Sequence, residues 1–177
     1  NVGVYRVDCS ANNLTTLNVS SCTQMTELRC QSNQLTVLDV SNNTDLMTLY
    51  CSSNQLTSLN VANCTALTSM YCENNQLTEL IMGSNTHLTS LTCSNNKMTS
   101  LDLSGCTSLR TLYCMNGQLT SLNVANTKVA DLYCTSNQLT VLDLSGCTAL
   151  TTLDCSDNKL KTLNLSSCTT LTSVNCS

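Results

Sequence analysis

A period of 21 residues runs through nearly the whole chain, and a repeat of that length settles architecture before any local reading of helix or strand. Copies begin at Leu14, Leu35, Leu56, Leu77, Met98, Leu119, Leu139 and Leu160, with the copy over 119–138 one residue short. Counting the first residue as offset 0, apolar residues fall at offsets 0, 3, 5, 11, 14 and 16, and Asn falls at 19. Each copy is two half-repeats, LxxLxVxxC followed by LxxLxCxxN. The chain opens inside a second half, from Val4 to Asn12, and closes inside another, from Leu171 to Cys176.

The L-x-L alternation inside each half is the period-2 pattern of a short strand with one buried face, and the flanking Ser, Asn and Gly are turn residues. No segment carries helical spacing. The expected fold is therefore all-β, a solenoid with two short parallel strands per 21-residue coil and about eight coils. At about 4.8 Å per coil the body is about 40 Å long, and halves of nearly equal length should leave it nearly straight. With no Phe, Trp or Pro and 41% hydrophobic residues, the core must consist of stacked aliphatic and sulfur side chains. Residues 1–177 read as a single repeat domain without polar caps, an uncapped segment or an excised domain, in keeping with a chain that opens at Asn1.

The motif LxxLxCxxNxLxxLDLxx closely resembles the bacterial leucine-rich repeats of the nested 21-residue kind, the IRREKO type, and the resemblance covers essentially the whole chain. It implies a secreted or bacterial-surface protein with a part in adhesion or protein recognition. The family defines structural positions only, so no functional residue is carried over from it.

Fourteen cysteines stand in this frame. Nine share offset 16, from Cys9 through Cys30, Cys51, Cys72, Cys93, Cys114, Cys134 and Cys155 to Cys176. That position points inward, where a thiol behaves as a small hydrophobe. In-register side chains of a parallel stack aim the same way, which opposes bridging between neighbours. Cys22, Cys64, Cys106, Cys147 and Cys168 share offset 8 with Asn43, Asn85 and Thr127, a corner where a side-chain donor can serve loop carbonyls. Only Cys147 and Cys168 lie there on adjacent coils, leaving one geometrically open bridge. Asn33, Asn54, Asn75, Asn96, Asn137 and Asn158 form the matching ladder at offset 19, interrupted by Gly117. No C-x-x-C pair occurs and His87 is the one histidine, so neither a metal, a cofactor nor a catalytic thiol is expected.

Function is then expected on outward positions. A net charge of −4 with seven scattered Lys and Arg opposes nucleic-acid binding, and no apolar run is long enough for membrane insertion. On the first-half strands offset 4 is a column of Asn and Asp broken by Ile81, which reads as a solvated ladder. On the second, one column runs Arg29, Tyr50, Tyr71, Thr92, Tyr113, Tyr133, Asp154 and Asn175, with Glu27 and Asp131 beside it. Cross-strand tyrosines stiffen a sheet, but a column with Tyr in the middle and charge or amide at its ends is also what a recognition patch looks like. The expected activity is non-enzymatic binding of a protein or cell-surface ligand through Tyr50, Tyr71, Tyr113 and Tyr133. The rival from another class is a structural protein that associates end to end through its uncapped coils. A lesser rival is ice binding through the Thr rows at offsets 1, 9 and 12, although Thr at strand margins is more simply a β-former whose hydroxyl serves a turn.

Overall fold

The computed structural model describes residues 3–177, and these contain strands and turns but no helix. In chain order the strands are β1 (Arg6–Asp8), β2 (Glu27–Arg29), β3 (Thr48–Tyr50), β4 (Ser58–Asn60), β5 (Ser69–Tyr71), β6 (Glu79–Ile81), β7 (Ser90–Thr92), β8 (Ser100–Asp102), β9 (Thr111–Tyr113), β10 (Ser121–Asn123), β11 (Asp131–Tyr133), β12 (Thr152–Asp154) and β13 (Ser173–Asn175). The second halves build one nine-stranded parallel sheet in the order β1-β2-β3-β5-β7-β9-β11-β12-β13. Its register is strict: Leu28 pairs with Leu49, Leu49 with Met70, and so on through Leu91, Leu112, Leu132 and Leu153 to Val174. A one-residue slip would turn every one of these side chains to the other face, so the buried Leu row itself enforces the register.

The first halves depart from the expected two strands per coil. Strands form there only in the four coils from 56 to 138, and as two separate pairs, β4 with β6 and β8 with β10. The first-half corners are closed by turns within a coil. Cys22 N donates to Val19 O, Asn43 N to Val40 O and Cys64 N to Val61 O, all inside one coil. At the second corner donors reach across coils, Cys30 N to Tyr50 O and Ser32 N to Ser52 O, and in the first half Val61 N does the same to Ile81 O. The same in-coil turn occurs where first-half strands form, at Cys64, and where they do not, at Cys22, so it does not decide which coils carry a ladder. Between β6 and β8 the wall opens into a groove of about 400 Å³ lined by Glu79, Ile81, Met82, Ser100 and Asp102. A bond from Lys97 N to Leu77 O, 2.8 Å, ties one end of that groove. At the other, Gly105 lies so close to Gly83 that a Cβ would stand 2.4 Å from the Gly83 carbonyl oxygen.

The interior is one continuous cluster of Leu, Val, Met and Cys. Cys30, Cys51, Cys72, Cys93, Cys114, Cys134 and Cys155 form a buried column of free thiols, while Cys9 is half-buried and Cys176 exposed. Burial pushes the Cys30, Cys93 and Cys134 thiols up to about 12 and Cys155 to about 11. Such thiols stay protonated at neutral pH and are poor nucleophiles and ligands. Cys147 and Cys168 are likewise buried and free.

The asparagine ladder runs beside the cysteine column. Asn75 donates to Cys51 O at 3.0 Å and Cys72 O at 3.1 Å, and its Oδ1 accepts from Leu56 N at 3.0 Å. Asn33, Asn54, Asn96, Asn137 and Asn158 repeat the pattern. At the break, a Cβ on Gly117 would meet Asn137 Oδ1 at 2.7 Å. The next rung's amide thus occupies the space where a side chain at 117 would begin.

Candidate recognition surface

The middle residue of each strand in the nine-stranded sheet points inward, so the first and third face out. The first positions are small over the central coils, with Thr48, Ser69, Ser90 and Thr111 between Glu27 at one end and Asp131 at the other. Small neighbours leave the tyrosines of the third position free to lie along the sheet and meet one another.

They do so in two pairs. The rings of Tyr50 and Tyr71 stack with centroids 4.8 Å apart and planes 1° from parallel. Tyr113 and Tyr133 stack at 4.7 Å and 5°. The Arg29 guanidinium lies over the other face of Tyr50, 4.5 Å from its centroid. Its Nε bonds Glu27 Oε1, which also holds Arg6 Nε at 3.3 Å. Desolvation in the stack, then the nearby Tyr113, raises the Tyr133 phenol, so it remains a neutral donor at physiological pH.

The residues singled out in the sequence therefore form two groups. Arg29 and Glu27 belong to the Tyr50–Tyr71 pair, and Asp131, with Thr151 Oγ1 3.4 Å from its carboxylate, sits at the Tyr113–Tyr133 end. Thr92 separates them. Arg6 completes the charged end and was missed, because its strand lies outside the eight complete copies; the register Arg6 to Glu27 was the signal that could have found it.

The threonine row at offset 12 is occupied by the scaffold. The hydroxyls of Thr68, Thr89, Thr151 and Thr172 donate to carbonyls of the preceding coil at 3.0 Å, as does that of Thr120. A hydroxyl held by the backbone is no longer a free element of a surface lattice.

The model for leucine-rich repeats, two copies, matches residues 86–127. A structure of the functional domain of InlJ from Listeria monocytogenes, described as including a cysteine ladder, matches 97% of this chain at 40% identity with a TM-score of 0.90. The chain is a leucine-rich-repeat protein of bacterial type, resembling InlJ. An internalin, inlF, from the same organism matches 98% of this leucine-rich-repeat chain at 25% identity and a TM-score of 0.68. YopM, a leucine-rich effector from Yersinia pestis, matches 88% at 25% identity and a TM-score of 0.67, with half of its own chain covered. No curated protein matches. The chain spans 39% of the InlJ structure and 61% of the inlF structure, less than two thirds of either. The leucine-rich-repeat frame accounts for the buried cysteines and asparagines, and leaves the outward tyrosines as the feature the frame does not require.

Proposed function

We propose that this chain is a non-enzymatic protein-recognition or adhesion module, secreted or carried on a bacterial surface, that binds a protein or cell-surface ligand through the outward face of its nine-stranded sheet. The observation that carries the reading is the pair of tyrosine stacks on one column of that face. Stacked rings are held in place by each other and by the sheet, so their edges and hydroxyls meet a partner with little entropy left to lose. Arg29 adds a planar charged group of the kind enriched at interfaces. The likeness to InlJ and inlF supports the class, since leucine-rich repeats of this kind are typically protein-binding modules.

Replacing Tyr50, Tyr71, Tyr113 and Tyr133 together by Ser tests it, with a panel of purified cell-surface ectodomains as the probe. Binding by the wild-type chain should be lost in the Ser variant, while a Phe variant that keeps the stacks but not the hydroxyls separates contact area from hydrogen bonding. Unchanged binding by a folded Ser variant would place the working surface elsewhere.

A further inference from the structure

The tyrosine column has a missing rung. Tyr71 pairs in register with Thr92, and Thr92 with Tyr113. Within each stack the rings follow the coil repeat, 4.8 and 4.7 Å apart. Two such steps separate Tyr71 from Tyr113, about 9.5 Å at the usual spacing of parallel strands. Threonine is too short to reach the ring layer, and the flanking outward residues Ser69, Ser90 and Thr111 are small as well. The result is a slot one planar group thick, walled by two aromatic faces.

We propose that this slot takes a single arginine side chain of the partner protein, whose guanidinium stacks between Tyr71 and Tyr113 over Thr92. The inference rests on the reading of this sheet as the recognition surface. Three observations select arginine. The scaffold already seats a guanidinium on the same stack, Arg29 at 4.5 Å over Tyr50, so the spacing suits that group. Asp131 stands on β11, the strand next to that of Tyr113, and supplies a carboxylate beyond that ring. The chain as a whole carries a net charge of −4. A guanidinium sandwiched by two rings gains cation–π attraction from both faces and keeps its edge N–H groups free for carboxylates, which a lysine ammonium does less well.

The experiment is an NMR titration of the whole chain with the peptide Ac-Gly-Arg-Gly-NH2, set against its Lys and Tyr counterparts. The Arg peptide should shift the ring signals of Tyr71 and Tyr113 saturably, and the Lys peptide should bind about tenfold more weakly or worse. Thr92→Tyr fills the slot from within. It should complete the ladder, raise thermal stability and abolish the Arg-peptide shifts. Equal binding of Arg and Lys, tighter binding of the Tyr peptide, shifts that spare Tyr71 and Tyr113, or a Thr92→Tyr variant that responds like wild type would each overturn the proposal. In the ectodomain assay, loss of binding in the four-Ser variant with full binding in Thr92→Tyr overturns the slot and keeps the surface. Full binding in both overturns the two together.

Discussion

The side-chain amide of Asn54 donates to the carbonyl of Cys30, one coil below, at 3.0 Å, while its Oδ1 accepts from Leu35 N at 3.0 Å. Donor and acceptor are both used, and a carboxamide offers the two from separate atoms, with two N–H groups to share between carbonyls. Asn85, at the opposite corner, donates to Val61 O and Cys64 O at 3.3 and 3.0 Å, but its buried Oδ1 has no partner among the described residues. That corner needs a donor alone, which explains why cysteine replaces asparagine there: Cys64 Sγ donates to Val40 O at 3.5 Å.

The two corners should therefore answer differently to the same substitution. Asn85→Cys removes an unsatisfied buried oxygen and should be neutral or stabilising by up to about 1 kcal/mol. Asn54→Cys strands Leu35 N and should cost about 2–3 kcal/mol. Urea unfolding of the two variants measures the difference, and equal losses would contradict it.

The inward cysteines behave as apolar rungs, so size should matter less than polarity. Cys72 is fully buried in the column. Cys72→Ser is nearly isosteric yet places a hydroxyl in an apolar stack, a cost of about 1–3 kcal/mol that should exceed that of Cys72→Ala. Thermal unfolding of the pair gives the ranking, and a Ser variant more stable than the Ala variant would show that the column is polar.

One residue per coil, just before each ladder asparagine, has a left-handed backbone, including Ser32 at φ 58°, Ser53 at φ 54° and Asn74 at φ 56°. An L-residue with a Cβ is strained there, and glycine is not. Ser53→Gly should raise stability by about 0.5–1 kcal/mol, whereas Ser52→Gly beside it should lower it. Denaturation midpoints for the two single variants check the sign of each.

Both ends of the pH profile are set by named groups. Asp39, Asp102 and Asp143 each accept the backbone N–H two residues on, from Ser41, Ser104 and Ser145, and this holds their carboxyls below the usual aspartate range. A depressed folded-state value stabilises above the unfolded one, so this contribution is intact at neutral pH and fades below about pH 4. The buried thiols are shifted the opposite way by burial, Cys30 and Cys93 to about 12 and Cys64 and Cys106 to about 11. A raised value stabilises below the unfolded one, so stability should fall as pH rises from about 9 toward 12. Converting all three aspartates to Asn, the residue other coils carry in that turn, should flatten the acid limb and leave the alkaline limb unchanged.

Much of this was legible in the sequence for a physical reason. In a solenoid each side chain's direction depends on its offset alone, so the inward Leu28, the column of Cys30 and the ladder of Asn33 follow from the period. The interrupted first-half ladder did not follow, because the same offsets recur in coils with a first-half strand, as at Leu59, and without one, as at Leu38. The tyrosine column was visible, but its division into two stacks with a slot at Thr92 needed the ring geometry.

Placing function on the outer sheet depends on the cysteines being core rungs and nothing else. Mass spectrometry after alkylation, on chain unfolded without reductant, counts free thiols directly. Fourteen adducts are expected on the unfolded chain, with Cys176 and then Cys9 the first to react in the native state. An even-numbered shortfall, or fast native labelling at Cys51 or Cys72, would show bridged or reactive cysteines and contradict the buried ladder.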